Sequence, residues 1–287
     1  MRRFVVDALV GSVMALSTAH ADPIKVVAAE NVYGDIARQI GGANVAVTSV
    51  LINPNQDPHE FEPSASTARG IAEARVVIYN GADYDPWAAK LLRASKSASR
   101  ESIEVSSLIH KKSGDNPHVW YDTAAVSALA ETLAARFTKL DPEHGADYAT
   151  HLAAFEASMR ALRERIAALR KKYSGTAVTA TEPIFDYMAD TLGLKMRNGR
   201  FQLAVMNGTE PSATAIAGFE KDLRTRAVKV LLYNGQTSQA LAERMRTIAN
   251  QVGVPVVAIT ETQPPGLTYQ EWMLAQLDAL DRALGGR

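Results

Sequence analysis

The chain has 287 residues, of which 47% are hydrophobic and 22% are charged. This balance is typical of a globular protein with one large or two medium domains, and it excludes wholesale disorder. Lys and Arg together number 31, as do Asp and Glu, so the formal net charge is zero. We therefore expect no nucleic-acid partner, because proteins that bind nucleic acid carry a basic surplus.

The first 21 residues have the pattern of a cleavable signal peptide. Met1–Arg3 is positively charged, Phe4–Ser17 is mostly apolar, and Ala19–Ala21 has the small residues of a signal-peptidase site. The apolar stretch is too short to span a bilayer, which takes about 20 residues. We expect cleavage after Ala21 and no transmembrane helix in the mature chain.

In the first half of the mature chain, short β-rich runs alternate with helical patterns. Strands are predicted at 24–29, 45–52 and 75–79, a helix at 33–40, and a polar loop with prolines at 53–63. This alternation predicts an α/β fold with mostly parallel sheets.

From residue 119 to residue 172 the pattern is almost wholly helical. Its second part carries apolar residues at spacings of three and four, which predicts one long helix of about 40 Å with a single apolar stripe. The stripe consists of Leu152, Phe155, Met159, Leu162, Ile166 and Leu169.

Strand-like runs return after this helix, at 176–181, 202–206, 228–233 and 254–260. The chain therefore predicts two α/β lobes joined by one long backbone helix. After the signal peptide at 1–21, the N-terminal lobe is expected over 22–145, the connecting helix over 146–173 and the C-terminal lobe over 174–287.

Two histidines share a local context. His59 follows Asp57-Pro58 and His118 follows Asn116-Pro117, so a short polar residue and a proline precede each of them. Proline fixes its own φ and keeps the residue before it extended, which suits a preorganised ligand. The same context can merely open a helix, so the residues alone leave both interpretations open. The other histidines are expected in a loop, a turn and the start of the long helix: His110, His144 and His151.

Two glutamates, Glu182 and Glu261, come directly after predicted strands. In open α/β sheets, ligands bind in the crevice beyond the carboxyl ends of the strands, so both side chains are expected to point there. Glu30 and Glu210 occupy comparable positions, and periodicity alone does not choose among the four. Glu210 is better explained as the start of a helix, because acidic residues favour a first turn.

Taken together, these segments resemble the zinc- and manganese-binding solute-binding proteins of ABC importers, also called cluster A-I or cluster 9. Segments 57–63 and 116–120 are similar to the first two ligand loops of that family. Segment 181–187 is similar to the third, where His or Glu is found, and 260–262 with Tyr269 to the fourth, where Asp is usual. The resemblance covers essentially the whole mature chain. It implies a metal site in the cleft between the lobes, formed by His59, His118, Glu182 and Glu261.

The resemblance also implies that one divalent transition-metal ion, manganese or zinc, is the cargo and is delivered to the membrane permease of an ABC importer. Two imidazoles and two carboxylates suit zinc, manganese or ferrous iron. Carboxylates that bind through both oxygens raise the coordination number, and glutamate at the third position resembles the manganese-type relatives, so manganese is favoured. The Irving–Williams order nevertheless predicts tighter binding of zinc. Glu261 departs from the usual Asp, and its extra methylene moves the carboxylate outward.

Four protein ligands leave no open position for a reacting substrate, which indicates storage of the ion and not catalysis. We therefore expect a monomeric binding protein and not an enzyme. Because the chain has no cysteine, we expect no lipid-modified amino terminus and no direct membrane anchor. An unanchored capture protein would diffuse away unless an outer membrane confined it, so a Gram-negative periplasm is the expected location.

Two other classes of protein stay open. A binding protein for an organic solute or metal chelate should line its cleft with aromatic side chains and polar groups, and the chain has only 3 Trp. A metal-dependent hydrolase or chelatase needs an open metal position and a general base, for which Glu60 or Glu62 would be available. The sequence contains no nucleophile elbow, phosphate loop or dinucleotide fingerprint.

Overall fold

A computed structural model of the chain describes residues 22–55, 58–236 and 240–285, without the side chain of His59. The predicted signal peptide lies outside the described residues, as do Gln56 and Asp57 of the first histidine loop. In the described part of the chain, no helix combines the length and the apolarity needed to cross a membrane.

The N-terminal lobe is built on a four-stranded sheet in which all strands are parallel and the order is β2-β1-β3-β4. The central strands read as nearly continuous apolar runs because helices cover both faces of the sheet. Its elements are β1 (Ile24–Glu30), α1 (Asn31–Gly41), β2 (Val45–Leu51), α2 (Ala65–Glu73), β3 (Val76–Tyr79), α3 (Pro86–Ala94), β4 (Glu101–Glu104), α4 (Val105–Leu108) and α5 (Thr123–Leu140).

The C-terminal lobe repeats this arrangement with a second parallel sheet of order β6-β5-β7-β8. Counted within each lobe, the strand order is the same, and the carboxyl ends of all strands of a sheet meet at one edge. The elements are β5 (Ala177–Ala180), α7 (Asp186–Leu192), β6 (Lys195–Arg197), α8 (Gly199–Met206), α9 (Ala213–Arg224), β7 (Leu231–Asn234), α10 (Ala240–Val252), β8 (Val256–Ile259) and α11 (Tyr269–Gly285). The predicted α/β architecture of two lobes is confirmed.

One predicted strand is wrong. Segment 202–206 belongs to the helix α8. Its buried residues Phe201, Gln202 and Val205 recur with the period of a helix, and Leu203 is exposed between them. Leu, Ala, Met and Gln are all strong helix formers, so local propensity agrees with the observed helix. The short apolar run was compatible with either element, and the flanking residues decide for the helix.

The lobes are connected by the long helix α6, which spans Gly145–Tyr173 and has 29 residues. At 1.5 Å per residue it is about 44 Å long. Its apolar stripe packs into the main hydrophobic core together with α1, α5, α7 and α11, and so contacts both lobes. Asp281 of α11 accepts hydrogen bonds from Arg165, Lys172 and Tyr173 of α6. These contacts fix the C-terminal helix along the connecting helix.

Hydrogen bonds also join the lobes around the cleft between the two sheets. Asn31 and Gln263 form a reciprocal pair, in which the Asn31 amide donates to the Gln263 carbonyl (2.7 Å) and the Gln263 N–H donates to Asn31 Oδ1 (3.1 Å). Three further bonds cross the cleft, from Asn116 Nδ2 to the Pro183 carbonyl, from Tyr121 OH to the Thr260 carbonyl and from Tyr269 OH to the Trp120 carbonyl. The cleft is therefore closed by polar contacts on several sides.

Candidate metal centre

The carboxyl ends of the two sheets face each other across the cleft, and the candidate residues lie there. His118 precedes a short 3-10 helix, Val119–Tyr121, in the N-terminal lobe. Glu182 follows β5 and Glu261 follows β8 in the C-terminal lobe. All three side chains are buried, with exposed fractions of 0% for His118, 3% for Glu182 and 2% for Glu261. Ionisable groups are rarely buried so completely unless they have partners.

His118 and Glu261 are in direct contact across the cleft. Nε2 of His118 lies 3.4 Å from Oε2 of Glu261. Glu182 joins this pair through Asn234 of β7, whose Nδ2 donates to Glu261 Oε1 at 2.8 Å and to Glu182 Oε2 at 3.3 Å. The structure thus brings three of the four predicted site residues into one buried polar cluster.

The fourth predicted residue, His59, lies in the short 3-10 helix Pro58–Glu60. Its side chain is outside the described part of the structure, so its contacts are not part of this geometry. Among the side chains that are described, no group of three or more His, Asp or Glu residues is arranged to hold a metal ion by itself. The described cluster is a His–Glu pair, with a second glutamate attached through an amide.

The tautomer of His118 is set by Asn116. Asn116 Nδ2 donates to the Pro183 carbonyl at 2.6 Å, so the other amide atom, Oδ1, must be the acceptor that faces the imidazole. This Oδ1 lies 2.7 Å from His118 Nδ1 and also accepts the His118 backbone N–H at 3.0 Å. Nδ1 therefore carries the proton of the neutral ring. The lone pair is on Nε2, which points to Glu261, and such a second-shell bond is typical of metal-binding histidines.

Tyr84 is a further residue of the cluster that the sequence did not indicate. Its hydroxyl donates to Glu261 Oε2 at 3.0 Å from the opposite lobe. Burial, and next the charge of Glu261, raise the pKa of Tyr84 well above its usual 10, so the hydroxyl stays protonated and acts as a donor. The rings of Tyr84 and Trp120 contact each other, and the edge of His118 packs on both. This aromatic wall excludes water from the histidine.

The two competing glutamates have different surroundings. Glu210 is exposed in the loop before α9, and Ser212, not Glu210, caps that helix. Glu30 is buried at the end of β1 beside Asp85. Burial, followed by the charge of Asp85, raises the pKa of Glu30 well above the usual 4.5, and burial raises that of Asp85 to about 6. Glu30 is consequently a neutral acid at neutral pH.

This buried acid makes the stability of the metal-free protein depend on pH. A folded-state pKa above the unfolded value means that the folded protein keeps a proton which the unfolded chain loses above about pH 4.5, so stability falls as pH rises. The Glu30→Gln variant lacks this loss. We expect its melting temperature to exceed that of the natural protein by a few degrees at pH 8 and by nothing at pH 4 in a thermal scan. A difference independent of pH, or one seen equally in Glu210→Gln, would contradict this account.

With this geometry in hand, comparison with known proteins identifies the family. The sequence profile described as "Zinc-uptake complex component A periplasmic" matches residues 26–283. The chain belongs to this family. Members of the family are metal-binding, substrate-binding components of ABC metal importers. The predicted resemblance is therefore confirmed for the family as a whole.

Individual family relatives match over nearly the whole chain. The iron ABC transporter substrate-binding lipoprotein MtsA of Streptococcus pyogenes serotype M1 is 22% identical, with 93% of this chain and 91% of the relative covered. The periplasmic zinc binding protein TroA of Treponema pallidum has a similar structure, with a TM-score of 0.78, 18% identity and coverage of 92% and 99%. A manganese-bound mutant of a periplasmic metal binding protein from candidatus liberibacter asiaticus gives 0.74, 19%, 90% and 98%. These likenesses establish the shared fold.

Proposed function

We propose that this protein is an exported substrate-binding component of an ABC importer and that it captures one divalent transition-metal ion, manganese or zinc. The observation that carries the proposal is the buried pair of His118 Nε2 and Glu261 Oε2. Two donor atoms that bind one ion at about 2.1 Å with a tetrahedral angle lie roughly 3.4 Å apart. The observed separation is 3.4 Å. The pair is thus spaced as two ligands of a single ion.

The complete ligand set that we propose is His59, His118, Glu182 and Glu261. Support for His118 comes from its tautomer, since Nε2 carries the lone pair that a metal needs. Support for Glu182 comes from its burial and from the amide that it shares with Glu261. His59 is proposed on its motif alone. The extra methylene of Glu261 compared with Asp brings its carboxylate to contact distance from the opposite lobe, which suits direct ligation.

Two carboxylates and two imidazoles favour manganese as the physiological cargo, because oxygen donors and a higher coordination number suit this ion. Zinc is expected to bind more tightly in vitro, in line with the Irving–Williams order. Cargo in the cell then depends on the supply of each metal as well as on affinity.

A metal ion fits this cleft better than the two alternative substrate classes. An organic solute needs a concave pocket that covers most of its surface, whereas the donor atoms of His118 and Glu261 are already within 3.4 Å of each other. A metal-dependent enzyme needs an open coordination position, and the four proposed ligands would surround the ion. We therefore propose a monomeric binding protein without enzymatic activity.

The membrane permease of an ABC importer is the proposed partner, and the periplasm of a Gram-negative cell is the proposed location. The family description itself is periplasmic. Several relatives are named as lipoproteins, but the 287 residues of this chain include no cysteine that could carry a lipid. Export by the signal pattern at 1–21 is compatible with both proposals.

Calorimetric titration of the metal-free protein with Zn²⁺ and, separately, with Mn²⁺ tests this function. We expect one ion per chain in each titration, because the proposed ligands form one site. Elemental analysis of protein purified from its native compartment, with no metal added or stripped, would identify the cargo. Two tight sites, or no binding of either ion, would refute the proposal.

A further inference from the structure

The third strand of each sheet ends in the same three residues. β3 ends in Tyr79-Asn80-Gly81 and β7 in Tyr233-Asn234-Gly235. In both lobes the tyrosine hydroxyl donates to a glutamate, from Tyr79 to Glu104 at 3.1 Å and from Tyr233 to Glu243 at 2.5 Å. The two asparagines are buried, with exposed fractions of 0% and 2%. Equivalent positions of the two lobes therefore present an amide to the cleft.

Asn80 uses its amide to hold backbone. Its Nδ2 donates to the Pro117 carbonyl at 2.8 Å and to the Gly81 carbonyl at 2.9 Å, and its Oδ1 accepts from Tyr33 OH. Pro117 immediately precedes His118, so this amide supports the histidine loop as a whole. Its contacts do not include a carboxylate of the candidate site.

Asn234 uses the equivalent amide to hold both carboxylates. Its Oδ1 accepts the backbone N–H of Gln236 at 2.9 Å, which fixes the orientation of the amide and directs Nδ2 at Glu182 and Glu261. Its own N–H donates to Thr181 Oγ1 at 3.1 Å. The side chain of Gln236 in turn accepts the backbone N–H of Glu261 at 2.6 Å. Asn234 is thus held on both sides while it contacts the two proposed ligands.

We infer that Asn234 is a positioning residue that determines the metal preference of the site, an inference that rests on the proposed function. Asn234 engages Oε1 of Glu261, whereas Oε2 faces His118 and Tyr84. An oxygen held by the amide is not available to the ion, so Glu261 binds through Oε2 alone. Asn234 thereby lowers the number of oxygens in the site. Fewer ligands favour zinc, which is usually four-coordinate, over manganese, which prefers more oxygens.

The test compares Asn234→Ala with Asn80→Ala, the matched variant in the other lobe. Dissociation constants for Zn²⁺ and Mn²⁺ are measured by competition with a chelator. We expect Asn234→Ala to weaken Zn²⁺ binding about tenfold, the usual loss for an outer-shell partner, and Mn²⁺ binding much less, because the released oxygen can join its shell. Asn80→Ala should weaken both ions by the same factor, since it disturbs the His118 loop and no carboxylate.

Asn234→Asp is the second variant, because it keeps the acceptor for the Gln236 N–H and replaces only the donor. The new carboxylate repels Glu182 and Glu261, so the metal-free protein should melt at a lower temperature and the stabilisation by Mn²⁺ should increase. X-ray absorption of the Mn²⁺-loaded variants should show one more oxygen neighbour than the natural protein. A purely structural role for Asn234 would not change this coordination number.

The outcomes separate this inference from the proposed function. If the natural protein binds neither ion, the function is wrong. If the natural protein binds both ions but Asn234→Ala and Asn234→Asp change the two affinities by equal factors and leave the coordination number unchanged, the inference about Asn234 is overturned while the function stands.

Discussion

The Glu261→Gln variant is expected to bind Zn²⁺ and Mn²⁺ at least tenfold more weakly than the natural protein, because losses even outside the first shell commonly cost about 10–100-fold. The substitution removes a negative charge that faces His118 Nε2 and keeps the volume of the side chain. The metal-free form should be no less stable, since removing an uncompensated buried charge offsets the loss of one hydrogen bond to Tyr84 or Asn234. Chelator competition and thermal scans measure both quantities.

Glu210→Gln is the matched control for this variant, because it makes the same chemical change at an exposed position. It should bind both ions like the natural protein. Glu261→Asp restores the usual residue of the family and should retain binding. If Glu261→Gln bound both ions normally, or if its metal-free form were grossly unfolded, direct ligation by Glu261 would not be supported.

Metal affinity is expected to collapse in mild acid. Each imidazole must be neutral to bind, so binding displaces protons from the histidine ligands. With a typical imidazole pKa of about 6.5, affinity should be nearly constant above pH 7 and should decrease below pH 6. Two histidine ligands give a limiting loss of about a hundredfold per pH unit, and one gives about tenfold. The slope of affinity against pH therefore counts the histidines bound.

Three proteins measured in parallel between pH 5 and pH 8 make this count specific. The natural protein should approach the steeper slope, and His118→Gln should show the shallower slope with weaker binding throughout. His110→Gln is the control, because His110 is exposed in a loop outside the cleft. Circular dichroism at pH 5 establishes that the chain is folded. A flat profile from pH 8 to pH 5 would contradict histidine ligation.

The architecture could be predicted from the sequence because its strongest signals are periodic. The stripe from Leu152 to Leu169 predicted the long helix, and apolar runs predicted β1, β2, β3, β5 and β8 close to their observed bounds. The strands β4 and β6 were not predicted. β4 consists of Glu101–Glu104 and β6 of Lys195–Arg197. Both are short strands at the sheet edges, where polar residues are tolerated, so hydrophobicity does not reveal them.

The candidate site was predictable in its ionisable residues and not in the amides and hydroxyl that orient them. His118, Glu182 and Glu261 are of types known to bind metals, and the structure places them together; their role as ligands stays a prediction. Asn116, Asn234 and Tyr84 act through single hydrogen bonds to partners up to 177 positions away. Only the repeated Tyr-Asn-Gly strand end could have indicated two of the supporting residues, and it becomes meaningful once the two sheets are superposed in topology.

The hydrogen bonds across the cleft have a consequence for the time scale of delivery. An ion enclosed by residues of both lobes leaves only when those lobes separate locally, so the pairs Asn31–Gln263 and Asn116–Pro183 prolong its residence. Affinity differences among related complexes arise mainly in dissociation rates. Spontaneous exchange of the bound ion is therefore expected to be slow compared with its capture. Rapid transfer then requires that the receiving partner itself break these bonds, which ties the release of cargo to the moment of docking.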